Sequence, residues 1–154
     1  MVRRPTETPI SADLVIRDPG GKVLFCHTTY RTTWWVIGGI AEATESPAAC
    51  ARREGREELG IDLQVGRLLV VHHQVRPNLQ MLSFAFDGGV IDSDLTRLRL
   101  DPAEISEVAW FAPNRLPTDL TPWHARRYRT AIEALANGTT AYLEDVTAES
   151  DPEQ

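Results

Sequence analysis

The sequence predicts an α/β fold, an α/β/α sandwich with a mixed sheet between two main helices. Three observations carry this. Strand-like and helix-like segments follow in the order strands, helix, strands, helix. Both helices open on a capping residue followed by proline, Ser46-Pro47 and Thr121-Pro122, and both stop at glycine, Gly60 and Gly138. The segments between them alternate with strand periodicity, most clearly at Leu82, Phe84 and Phe86.

Residues 1–8 are polar and contain Pro5, so a flexible arm is expected ahead of one domain over 9–145. Ile10 to Arg17 reads as a strand, Asp18-Pro-Gly-Gly21 as a turn, and Lys22 to Thr28 as its hairpin partner. A polar loop with Tyr30 and Arg31 leads to an extended piece, Trp34 to Ile37, and to Gly38-Gly39. The first helix is expected over Pro47–Leu59, with Ala48, Ala51, Gly55 and Leu59 on its sheet-facing side. Leu63 to Gln74 and Leu79 to Asp87 read as strands joined by Arg76-Pro77-Asn78, the second ended by Gly88-Gly89. Ile91 to Arg99 reads as a surface loop and Glu107 to Phe111 as a short strand. The second helix is expected from Pro122 to about Ala136, with Ala125, Tyr128, Ile132 and Leu135 buried. After Tyr142-Leu143 the chain turns acidic, and a frayed tail is expected over 146–154.

The 154 residues suffice for one good core, and 42% hydrophobic with 25% charged residues is the balance of a globular protein. No apolar run approaches a membrane span, and Met1-Val-Arg-Arg-Pro-Thr-Glu has no apolar segment behind its arginines. A cytoplasmic location without membrane contact is therefore expected. A net charge of −6 argues against a nucleic-acid polymer as partner, while a small polyphosphate could bind through a bridging cation. Cys26 and Cys50 are expected as small buried hydrophobes, and no zinc spacing is present.

Glu54, Glu57 and Glu58 stand at i, i+3 and i+4, which gathers three carboxylates on one helical surface. Such a cluster repels itself unless a cation intervenes, and its hard oxygens suit Mg²⁺, with Mn²⁺ able to substitute. The alternative is a solvated helix face. The upstream spacing decides between them. Gly39, Glu45, Arg53, Glu54, Glu57, Glu58, Gly60 and Ile61 follow an order that resembles the Nudix box of the Nudix hydrolases. Trp34-Trp-Val-Ile-Gly38-Gly39 resembles the approach to that box, and Glu42 matches a further common glutamate. Three positions depart from the pattern. Ile37 replaces a frequent Pro, Thr44 a frequent Gly, and Gly55 a bulky aliphatic. The gap left by Gly55 is expected to be filled by a neighbouring side chain or a close backbone contact.

The resemblance implies a Nudix-type sandwich and a Mg²⁺-dependent pyrophosphohydrolase. Its substrate would be a nucleoside diphosphate derivative or a nucleoside triphosphate, cleaved by water attack at phosphorus. It implies Glu54, Glu57, Glu58 and the Gly39 carbonyl as metal ligands, with Glu54 alternatively orienting the water. It also implies that Arg53 orients a glutamate and that Glu45 fixes the loop. A general base from outside the box is expected at Glu104, with Glu107 as the alternative. Trp34, Trp35 and Arg31 are the candidates for substrate contact. Tyr30, Phe84, Phe86, His72, His73 and Arg76 are weaker ones. A nucleotide-binding or sensor domain with little turnover is the alternative function. An isomerase of isoprenoid diphosphates is a third, disfavoured by the absence of cysteine in the Trp-rich approach. Trp123 and the N-terminal arm leave a homodimer open.

Overall fold

The side chains of the first strand point alternately to two cores, and this sorts the molecule into layers. A computed structural model describes residue 3 and residues 7–147. In it β1 (Ile10–Arg17) sends Ala12, Leu14 and Ile16 to one core and Val15 to the other. β2 (Val23–Thr28) divides likewise, Leu24 and Cys26 against Val23 and Phe25. Helix α1 (Pro47–Leu59) closes the first core with Cys50, Ala51 and Leu59. Helix α2 (Pro122–Asn137) closes the second with Tyr128, Ala131 and Ala134. The chain is thus the expected sandwich of a sheet between two helices.

The sheet is mixed. β1 runs parallel to β6 (Leu79–Val90), which pairs antiparallel with β5 (Leu68–Arg76). β5 in turn runs parallel to β8 (Ala141–Val146). The other edge of β1 is shared. Ser11 to Leu14 pair with β4 (Ile37–Ile40), whereas Arg17 pairs with Val23 of β2. β2 also carries β3 (Trp34–Trp35) and β7 (Ile105–Phe111), both antiparallel. The sheet therefore divides along β1, and β4 lies where the division opens beside α1.

The helix termini form as their sequences require. Ser46 Oγ accepts from the Ala49 N–H at 3.1 Å, and Thr121 Oγ1 accepts from the His124 N–H at 3.4 Å. Gly60 (φ 68°) and Gly138 (φ 66°) are left-handed caps whose N–H groups return to Arg56 and Ala134. Ala48 is exposed rather than buried, and Cys50 takes its place on the inner face. On α2 the half-buried Ile132 and Leu135 flank a deeper pair, Ala131 and Ala134.

Several strand limits differ from the sequence reading. β5 starts at Leu68 because the segment before it is used otherwise: Leu63 packs on Gly55, and the Gly66 N–H donates to the Asp87 carbonyl at 2.7 Å. β6 does not end at Gly88-Gly89 but runs through to Val90. A Cβ at Gly88 would collide with Ile16, and Gly89 has φ 80°, where the β1–β6 register shifts. β7 begins at Ile105, two residues before the expected Glu107. β8 was not foreseen, and it makes 146 a strand residue rather than part of a frayed tail. Residues 148–154 of that tail, and residues 1, 2 and 4–6 of the N-terminal arm, lie outside the described residues. The segment after β6 holds a 3-10 turn, Leu95–Arg97, and packs Ile91, Leu95 and Leu98 on the α1 core. Among the described residues no helix is long and apolar enough to cross a membrane.

Candidate active site

Two glycines let the β4 backbone approach the acidic face of α1. Gly38 pairs with Asp13 and Gly39 with Ala12. A Cβ at Gly38 would collide with the Ala12 carbonyl oxygen, and one at Gly39 with the Glu54 carboxylate. Ile37, where a Pro was the frequent alternative, is fully buried opposite Leu14 and extends the β1–β4 pairing. The gap at Gly55 is filled as expected, with Leu63 Cδ1 3.1 Å and Leu14 Cδ1 3.5 Å from where a Cβ would stand.

Glu58 is the deepest of the three clustered glutamates, at 6% exposure. Its Oε1 accepts from the Gly38 N–H at 3.4 Å, and Cys26 Sγ lies 4.0 Å from Oε2. Burial, then the hydrogen bond and charge of Glu54, push its carboxyl up to about 9. Burial also raises Glu54. The pair therefore holds a proton at neutral pH that isolated carboxyls would release. Glu57 lies outermost, with its side chain 48% exposed.

Arg53 ties the cluster to the preceding loop. It grips Glu45 with two bonds, Nε to Oε2 at 2.8 Å and Nη2 to Oε1 at 2.9 Å. Its Nη1 reaches Glu54 at 3.0 Å and Glu57 at 3.1 Å, and its Nη2 reaches the Ile40 carbonyl at 3.2 Å. Hydrogen bonding to Arg53 holds the Glu45 carboxyl down at about 2. Glu42 stands at the edge of this network, exposed and 4.0 Å from Arg53 Nε, while its N–H donates to Glu45 Oε1 at 3.1 Å.

Glu104 arrives from the loop before β7, which is pinned where the Thr29 N–H donates to the Glu104 carbonyl at 2.9 Å. Its side chain lines one cavity of about 320 Å³ together with Glu54, Glu57, Glu58, Arg53 and Gly39. Glu107 faces solvent in the β2–β7 ladder, opposite His27, and does not line this cavity. Among the described residues no three His, Cys, Asp or Glu side chains stand as a ready cation cage. The carboxylates are instead occupied by Arg53 and by one another.

A second cavity, of about 280 Å³, shares a wall with the first, formed by Arg31, Trp35, Val36, Gly38, Gly39 and Ile40. Two of the expected substrate residues belong to this partition: the Arg31 guanidinium lies 3.7 Å over the Trp35 ring. Trp34 lines neither cavity. As the neighbour of Trp35 in an extended strand it points the other way, edge-on to His27 at 4.0 Å and Phe111 at 5.1 Å. Phe84 and Phe86 stack on each other at 6.5 Å, and Phe86 packs on the α1 core. Tyr30 stands exposed at the rim of the first cavity. His72 is fully buried against Arg127 and Asp145, and His73 meets Gln80. Arg76 covers the Trp123 ring at 3.5 Å, so Trp123 is a wall of the second cavity.

Asp13, His124 and Arg127 also line the second cavity and were not singled out from sequence. His124 is edge-on to Trp35 at 4.0 Å and stacked on Tyr128 at 5.7 Å, and burial holds it neutral, down at about 3. A signal existed for two of them. Asp13 stands between the apolar Ala12 and Leu14, and Arg127 occupies a position inside the buried stripe of α2.

A family model described as NUDIX domain matches residues 7–131. The chain is 30% identical over 112 residues to the NAD-capped RNA hydrolase NudC of Vibrio atlanticus (strain LGP32). That stretch is 71% of this chain and 39% of the relative, so the chain spans well under half of that protein. It is 26% identical to a MutT-like protein of Streptomyces ambofaciens over 131 residues, 84% of this chain and 79% of that one. The crystal structure of a NUDIX hydrolase from Nitrosomonas europaea superposes with a TM-score of 0.73 at 20% identity. It covers 94% of this chain and 81% of that one, which shows a shared fold.

Proposed function

The chain belongs to the Nudix hydrolase family, which acts on phosphorus-containing anhydrides, and on that premise we propose that it is a Mg²⁺-dependent pyrophosphohydrolase of a nucleoside diphosphate derivative or nucleoside triphosphate. The observation that carries the reading is the convergence of Glu54, Glu57, Glu58 and Glu104 with the Gly38–Gly39 backbone around one cavity. Relatives named for cleaving an RNA cap or for likeness to MutT support a diphosphate linkage as the target.

The donor set fits a hard divalent cation. Carboxylate oxygens and one backbone carbonyl are its preferred ligands, and Glu54, Glu57, Glu58 and Gly39 line one cavity. Glu57, Glu58, Glu54 and the Gly39 carbonyl would hold it. Bound there, the cation screens the diphosphate charge and lowers the pKa of a coordinated water. The chain's own residues do the rest. Arg53 fixes the orientation of Glu54 and Glu57 through its fork. Glu104, lining the same cavity, accepts the proton of the attacking water. Arg31, seated over the Trp35 ring, supplies a positive charge to a phosphate oxygen.

A nucleotide panel with roughly 5–10 mM Mg²⁺ tests this, with released phosphate products as the readout. Turnover of at least one nucleotide anhydride is expected. Glu57→Gln and Glu58→Gln should each lower it by about two orders of magnitude or more, with circular dichroism unchanged. Tight nucleotide binding without turnover would favour the sensor alternative. Near-wild-type activity in both variants would overturn the ligand assignment.

A further inference from the structure

Two groups in the first cavity each lack what the other offers. Thr28 ends β2 at 7% exposure, and among the described residues its buried Oγ1 has no hydrogen-bond partner. A hydroxyl left so costs stability that a valine of the same shape would not. Thr28 nonetheless lines the cavity, together with Glu58 and Glu104. Glu104 is exposed, and among the described residues its carboxylate accepts no hydrogen bond.

The backbone around the two is bolted in place. The β2–β7 register slips past Ser106, so that His27 pairs with Glu107 but Thr28 with Ile105. Such a bulge re-aims the side chains beside it. Thr29 holds the turn before β7 twice. Its N–H donates to the Glu104 carbonyl at 2.9 Å, and its Oγ1 donates to the Ala103 carbonyl at 2.8 Å. Ser106 Oγ donates to the His27 carbonyl at 3.2 Å. The main chain of Glu104 is thus fixed next to the ladder partner of Thr28, whereas its carboxylate is not.

We infer that Thr28 is a positioning residue for the general base: its hydroxyl donates to the Glu104 carboxylate when substrate fills the cavity. The inference rests on the hydrolase reading. Rotation about the Cα–Cβ bond of Thr28 exchanges hydroxyl and methyl group, which brings the donor to the cavity without moving the strand. A carboxylate has acceptor sites for this bond and for the water together. The water's proton goes to Glu104, and Thr28 keeps its own. Fixing the base in this way removes a search that an exposed side chain otherwise makes before each proton transfer.

The test compares Thr28→Val and Thr28→Ser in the full chain. Without nucleotide or divalent cation, Thr28→Val should raise the melting temperature by about 2–4 °C, because an unpartnered hydroxyl is removed. Kinetics use the fastest substrate among ATP, GTP, ADP-ribose, UDP-glucose and NAD⁺, with Mg²⁺. Thr28→Val should lower kcat by about tenfold and leave KM within about twofold, and Thr28→Ser should restore most of the loss. A variant both more stable and slower is not what a merely structural threonine gives. Glu104→Gln lowers kcat by itself, and adding Thr28→Val to it should lower kcat no further. A lowered melting temperature or an undiminished kcat in Thr28→Val, no rescue by serine, or full additivity with Glu104→Gln would each overturn the inference. Those results in an active enzyme remove this inference alone, whereas a wild type that cleaves none of the five substrates removes the hydrolase reading with it.

Discussion

Thr44 is the one non-glycine residue with positive φ among the described residues, at 68°. It stands just before Glu45, where glycine would be the natural choice. A left-handed conformation costs a β-branched residue about 1–2 kcal/mol, partly offset because glycine loses about 0.5–1 kcal/mol more backbone entropy on folding. Thr44→Gly should therefore stabilise the protein by about 0.5–1 kcal/mol in urea unfolding, and a lower midpoint would refute the assignment of strain. The threonine is held there because Glu45 is gripped by both arms of Arg53. The carboxylates at Glu54, Glu57 and Glu58 were legible from spacing alone, since i, i+3 and i+4 place them together whatever surrounds the helix. The proton at Glu58 was not, because it depends on burial supplied by strands distant in sequence.

At the scale of elements, α1 and α2 could be read almost to the residue because their caps are local chemistry. β8 could not. Its partners in β5 lie about seventy residues earlier, and Glu144-Asp145 reads only as the start of an acidic stretch. Yet Asp145 meets the fully buried His72 and accepts from Arg126 Nη1 at 2.7 Å. Asp145→Ala should cost about 1–3 kcal/mol by leaving His72 without that partner. Hydrogen exchange should show β8 amides losing protection before those of β1 and β6. Uniform loss across the sheet would mean that β8 does not open separately. The second cavity escaped the sequence for the same reason as β8. Its residues come from β1, β3, β4, β5, β6 and α2, so no short window contains them.

For the molecule as a whole, the raised Glu58 carboxyl couples protonation to folding. The unfolded chain releases this proton near 4.5, the folded protein only near 9. Between those values the folded state binds more protons, so this contribution to stability is complete below 4.5 and is lost as pH rises toward 9. His124 acts at the other end. Its folded value near 3 lies below the ordinary 6.5, so its contribution is lost as pH falls through that interval. Without divalent cation, the melting temperature of the wild type should fall more steeply between pH 6.5 and 9 than that of Glu58→Gln. Saturating Mg²⁺ should flatten the wild-type slope, since the cation replaces the proton. Parallel slopes in the two proteins would exclude Glu58 as the linked group.

The strip Gly38–Gly39 is common to both cavities, and its pairing with Asp13 and Ala12 fixes it to the centre of the sheet. It works as a ruler. The separation of the two cavities is set by one short strand and does not vary with what fills either. The carboxylates come from α1 and the β7 approach, whereas β5, β6 and α2 line only the second cavity. Substitutions in the second cavity can therefore leave the acidic cluster unchanged. An inserted residue in β4 would put both ends out of step at once.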